Sequence, residues 1–367
     1  MNIIQLTWKS LQAKPLNAML NILLVATGIF IISFLLILEK QTEQHFERNA
    51  ANINLVVGAK GSPLQLILSS IYQVDYPTGN IKLSEAEQIS KNPLVKKTIP
   101  LALGDNFKGF RIVGTTHDYP MIYNAKLADG KLWKADMEVS IGAKVAMESG
   151  LKIGDKFVGV HGFMAESNDV HNEFQYIVSG IYAQTGTVLD QLILTNISSV
   201  WQIHAHHHHH HGNEEQEEAG EQEQTRNHHA EEHEEHADEK EITALLIFYR
   251  NPIAAITLPR QINQNTNMQA ASPVNEMNRL HSLMGIGIES ASLIAYLIML
   301  ISAFSIFISL YNSMKDRKYE LALIRILGGR KRTVFSLVLL EGLTISFVGF
   351  IAGYLLSICT LFFISIY

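Results

Sequence analysis

The chain has 367 residues and a mean hydropathy of +0.10, and 17% of its residues are charged, against roughly 25% in ordinary soluble domains. That length holds one sizeable water-facing domain and a few membrane helices, and the composition excludes a wholly soluble protein. The net charge of −6 excludes a basic nucleic-acid binder but is not spread evenly: residues 212–241 hold thirteen acids against Arg226 and Lys240, and the remainder holds twenty-two acids and twenty-seven bases.

The N-terminal segment 1–17 brings Lys9 and Lys14 to the start of the first apolar run, Ala18 to Leu38. This run is long enough to span about 30 Å of hydrocarbon. It is longer than a signal-peptide core and lacks a small-x-small site before Glu39, so it reads as an uncleaved anchor. Two more apolar runs follow, Ala291 to Tyr311 and Val334 to the last residue. Between them, residues 312–333 carry Lys315, Arg317, Lys318, Arg325, Arg330, Lys331 and Arg332 against Asp316 and Glu320. By the positive-inside rule this loop and the N-terminus are cytoplasmic, which places 39–273 and the following stalk outside. The sole cysteine, Cys359, lies in an apolar run, so no internal disulfide forms.

Residues 39–50 are polar and free of Gly and Pro, and continue the first helix as a stalk. In the outer region Ile53 to Val57 reads as a strand, and Pro63 to Tyr72 as a helix opened by proline. Ser84 to Asn92 reads as a helix with Ser84 as N-cap and Glu87 completing a capping box. Arg111 to Thr115, Gln175 to Ser179 and Ile242 to Tyr249 read as strands, and Glu138 to Gly150 as strand then helix stopped by Gly150. The pattern is that of a mixed α+β domain. Gly58 and Gly61 form a G-x-x-G spacing, read as a turn because nucleotide is absent outside the membrane. Met277, Leu280, Met284 and Ile288 recur at helical spacing ahead of the second span, in the segment 274–311.

The third run, 334–367, carries no charge except Glu341. As one helix it would be about 50 Å long, and a fourth helix is expected beyond it. The fold class is thus a membrane protein: an α-helical bundle with three spans visible, and a mixed α+β outer domain on helical stalks. The spans hold few ionisable groups: Glu289 at the outer edge and Glu341 near the inner edge. No G-x-x-x-x-G-K-[ST] motif occurs and no nucleophile–base pairing stands out, so this chain is read as non-catalytic.

Tyr319, Ala322, Leu323 and Ile326 fall at helical spacing, stopped by Gly328 and Gly329. From spacing alone this is either a docking helix or a basic interfacial helix resting on lipid. The sequence RKYELALIRILGGRKR followed by LLEG resembles the signature of FtsX-like, MacB-type permeases at Arg317, Glu320, Arg325, Gly328, Glu341 and Gly342. The outer segments LVVGAKGSPLQLILSSIY, PTGN, GDNFKGFRIVGTT, HGF and GTVLDQLILTNISSVWQIH look like one branch of that family. The resemblance implies a bacterial inner-membrane, multi-pass ABC transporter permease, with the outer domain periplasmic. It also implies a cytoplasmic ABC ATPase partner, a second permease copy or paralogue, and a coupling site at Arg317, Tyr319, Glu320, Leu323, Arg325, Gly328 and Glu341. The family transmits ATP-driven motion rather than conducting substrate through its helices.

The segment 204–241 holds eleven histidines, namely His204, His206, His207, His208, His209, His210, His211, His228, His229, His233 and His236, among glutamates and almost no apolar residue. It cannot bury a core. Imidazoles and carboxylates suit zinc, copper or nickel, and the four-residue spacings of His229 to His233 and Glu232 to His236 would place ligands one helical turn apart. Many ligands without preset geometry bind several ions loosely. The alternative is an inert insert or tag remnant. A smaller cluster, His161, Asp169 and His171, is a second candidate metal site, or simply a polar turn. Zinc is the expected metal, with a periplasmic metal-binding or adaptor protein as a further partner. Two other functions stand beside it: export or extraction of a lipoprotein, peptide or hydrophobic compound with the histidines incidental, and FtsX-like signalling to a periplasmic hydrolase.

Overall fold

A computed structural model describes residues 12, 15–161, 170–203, 240–316, 318–319, 322, 326 and 331–366. These form two compact units. One comprises the chain up to Gln44 together with Leu280 onward, and the other His45–Arg279.

The first unit is built on α1 (Pro15–Ala50), α7 (Pro273–Asp316) and α8 (Lys331–Ile366). All three are long and apolar enough to cross a membrane. The third apolar run is one unbroken helix of 36 residues, with no turn within it. The usual distribution of side chains is inverted here. Leu297, Phe304, Phe307, Phe347 and Phe363 are exposed, while Asn21, Ser302 and Ser357 are buried. In water such a surface would aggregate, whereas in lipid it is the solvated face and the small and polar residues form the seam.

The second unit contains β1 (Leu55–Ala59), α2 (Pro63–Ile67), β2 (Ile81–Lys82), α3 (Leu83–Ser90), β3 (Val95–Phe107) and β4 (Phe110–Thr115). There follow α4 (Asp118–Ile122), β5 (Leu127–Gly130), β6 (Glu138–Ile141), α5 (Ala143–Ser149), β7 (Lys156–His161), β8 (Val170–Tyr182) and β9 (Leu192–Asn196). After the histidine segment come β10 (Glu241–Ile242), β11 (Ala244–Tyr249), α6 (Ala254–Asn265) and β12 (Met268–Ala271). The main sheet runs β12-β1-β11-β3-β4-β9-β6-β8-β5, with β7 bridging β3 and β8. The pairs β4–β9 and β6–β8 are parallel and the rest antiparallel. The mixed α+β character is as expected. One core packs Leu66, Ile67, Ile71, Tyr119 and Trp133 against the sheet, and another packs Ala86, Ile89, Leu258 and Ile262 of α3 and α6 against β1, β11 and β12.

Several local expectations change. Ser84 is not the N-cap. Lys82 is, because the Leu83 N–H already donates to the Lys240 carbonyl at 2.9 Å, so the helix starts two residues earlier, directly off β2. The helix from Pro63 is α-helical only to Ile67, with Ser62 as its cap, and then widens into a π-turn over Leu68–Tyr72 ending at Gln73 in the left-handed region. The widening buries Ser69, Ser70, Ile71 and Tyr72 in succession, which 3.6 residues per turn would not. The strand 242–249 is split at Thr243, whose hydroxyl replaces a main-chain acceptor for the Leu103 N–H at 2.9 Å. Gly150 does stop α5, at φ +76°, and the turn expected between Gly58 and Gly61 is confined to a bend at Lys60 and Gly61, since Gly58 belongs to β1.

The last turn of α1, from His45 onward, belongs to the second unit and packs on its core. Its final carbonyls lack helical partners. The Tyr72 hydroxyl donates to the Phe46 oxygen and the Tyr123 hydroxyl to the Asn49 oxygen, both at 3.2 Å. The buried Asn49 side chain accepts the Val188 N–H at 2.6 Å. Ala51 and Asn52, both at positive φ, then turn the chain out of the helix.

Candidate functional site

Three places carry the sequence-derived sites: the helical seam, the segment after α7, and the base of the histidine insert.

In the seam, helices approach where side chains are smallest. A Cβ placed on Gly28 would meet the Met299 side chain at 2.8 Å. Gly349 and Gly353 form a G-x-x-x-G pair on α8. A Cβ at Gly349 would meet Val25 of α1 at 2.8 Å, and one at Gly353 would run into the Ala26 main-chain oxygen. The α1 and α7 helices are further joined by the Ser305 hydroxyl, which donates to the Asn21 side-chain oxygen at 2.7 Å. Glu341 is buried on α8, and its neighbour Gly342 lies against Leu310 of α7, 3.1 Å from a placed Cβ. The sequence reading missed the G-x-x-x-G seam, although that spacing in an apolar run is its known signal.

After α7, residues 318–319, 322 and 326 are helical. Tyr319, Ala322 and Ile326 are all exposed, Tyr319 at 78% and Ile326 at 81%. Their spacing sets them along one helical stripe, and the Lys318 ammonium lies 5.2 Å from the Tyr319 ring centre. An exposed apolar stripe with a cation beside it can receive a partner protein or a lipid surface. Arg317, Glu320, Leu323, Arg325 and Gly328 lie outside the described residues. Glu341 is set in the seam and is thus not part of this exposed stripe.

The histidine insert has a closed base. The Trp201 indole N–H donates to the Glu241 carbonyl at 2.7 Å, and the Lys240 ammonium stands 5.0 Å from the Trp201 ring centre. Asn80 donates to the Glu241 carboxylate at 3.1 Å, and β10 pairs with β2. His204, His206 to His211, His228, His229, His233 and His236 lie outside the described residues. Of the smaller cluster, Asp169 also lies outside them. His161 ends β7 and His171 is the second residue of β8, strands paired through Val160 and Val170, so both sit at the end of a hairpin. Among the described residues no group of three or more His, Cys, Asp or Glu side chains could hold a metal ion.

Electrostatics in the second unit are those of a packed core. Burial pushes Tyr72 and Tyr119 up to about 12. Burial lowers Arg111, against the opposing pull of Asp75 and Tyr76. The Glu138 carboxylate is held below the usual range by the main-chain N–H groups of Lys134 and Ala135.

Residues 292–367, which hold most of α7, the exposed stripe and all of α8, match the family model described as FtsX-like permease C-terminal. The match lies wholly within the helical unit. Permeases of this type are membrane subunits of ABC transporters that work with a cytoplasmic ATPase. The chain is also similar to the periplasmic region of MacB from Actinobacillus actinomycetemcomitans, at 11% identity and TM-score 0.38, over 65% of this chain and 97% of that one. A second solved structure, the extracellular domain of the noncanonic ABC-type transporter YknZ from Gram-positive bacteria, is similar at 9% identity and TM-score 0.34, over 60% of this chain and 100% of that one. No curated protein matches the chain.

The permease-domain match contains every residue assigned to coupling, Arg317 through Glu341. It excludes the histidine insert. Within the matched segment, the tightly packed glycines Gly342, Gly349 and Gly353 all face neighbouring helices, so the segment includes both the exposed stripe and part of the seam.

Proposed function

We propose that this chain is the permease subunit of an ATP-driven ABC complex of the bacterial inner membrane. Cytoplasmic ATPase motion enters through the stripe at Tyr319, Ala322 and Ile326 and is delivered to a periplasmic domain, in a system that handles zinc. The family match over residues 292–367 carries the permease reading. Support for transmission comes from secondary structure: α1 and α7 are each unbroken, over 36 and 44 residues, and a hydrogen-bonded helix resists bending far better than a loop does. Support for the metal comes from the eleven histidines and thirteen acids between His204 and Glu241, a ligand set suited to zinc, copper or nickel.

Co-purification of a cytoplasmic ABC ATPase with the full chain tests the coupling half. Substituting Tyr319→Asp with Ile326→Asp, or substituting Glu320 or Gly328, should abolish recovery of the ATPase while the permease still inserts. Retention of the ATPase would overturn the docking site. Deleting 204–241 tests the metal half, and growth unchanged under both zinc limitation and zinc excess would remove it.

A second reading has one specific observation behind it. In the helical unit, Leu36 and Glu39 of α1 and Gly285, Ile286, Glu289 and Tyr296 of α7 line a cleft of about 670 Å³. Its apolar walls and carboxylate rim suit an amphipathic cargo such as a lipoprotein or hydrophobic compound. Photocrosslinking from Ile286 would capture such cargo if this reading holds. Signalling to a periplasmic hydrolase has no comparable feature in its favour.

A further inference from the structure

We draw no further inference here: the strongest candidate, the buried Asp105 in register with His161 where β3 pairs with β7, carries nothing because a site there would have to be completed by residues 162–169, which lie outside the described residues.

Discussion

Trp201 and Glu241 lie 40 positions apart, and the Trp201 indole N–H donates to the Glu241 main-chain oxygen at 2.7 Å. With the Lys240 ammonium over the same ring, this contact closes the base of the histidine-rich insert. The insert therefore leaves and rejoins the domain at one point. Loop-closure entropy rises only about 0.6 kcal/mol per doubling of length, so such an excursion costs the domain little. Replacing residues 204–239 with a short glycine linker should leave the outer unit folded, with its melting temperature within a few degrees of the parent by circular dichroism. Trp201→Ala should instead destabilise it by about 1–3 kcal/mol, through the lost donor and the uncovered Lys240. If the deletion melts the domain, the closed base does not isolate the insert.

The glycine seam gives a paired test. Gly353→Leu puts side-chain atoms where the Ala26 main-chain oxygen already lies, and Gly349→Leu does the same against Val25. Each should cost about 1–3 kcal/mol or more of helix-assembly stability, read as resistance to unfolding in graded detergent. Gly285→Ala, where nothing lies within 4 Å of the new Cβ, should be neutral or gain up to about 1 kcal/mol from helix propensity.

Asn49 is buried and accepts the Val188 N–H at 2.6 Å. Asn49→Leu removes that acceptor and leaves a buried N–H unsatisfied, which should cost about 1–3 kcal/mol in chemical denaturation. Asn49→Ser keeps an acceptor and should cost less. Equal losses for the two would mean that packing, not the hydrogen bond, fastens the end of α1.

Tyr72 and Tyr119 are pushed up to about 12 by burial. A raised value means the folded state holds its proton longer than the unfolded chain does. The stability they contribute is complete below the ordinary value of 10.0 and is lost as pH rises from there through about 12. The outer unit should hold steady to about pH 10 and then unfold, with tyrosinate absorbance rising in step with loss of circular dichroism. Early tyrosinate formation without unfolding would show the hydroxyls to be wet.

Much of the helical unit was legible in the sequence because lipid imposes a one-dimensional rule: about twenty apolar residues make a span, whatever they touch. The helical stripe of Tyr319, Ala322 and Ile326 was legible for the same reason, since periodicity is local. The Ser84 cap was misread because the residue that starts α3 is fixed by Lys240, which lies far along the chain. The break at Thr243 was hidden too, since it depends on Leu103 presenting its N–H to that hydroxyl.

By itself, the sequence determined the spans and the α+β character of the second unit, both of which follow from composition and short-range spacing. Tertiary structure decided what those segments meet: Gly353 against Ala26, Asn49 against Val188, and Trp201 against Glu241. These are long-range pairings. Their free energy appears only once the chain has paid the entropy of bringing distant residues together, and no local pattern encodes which partner that will be.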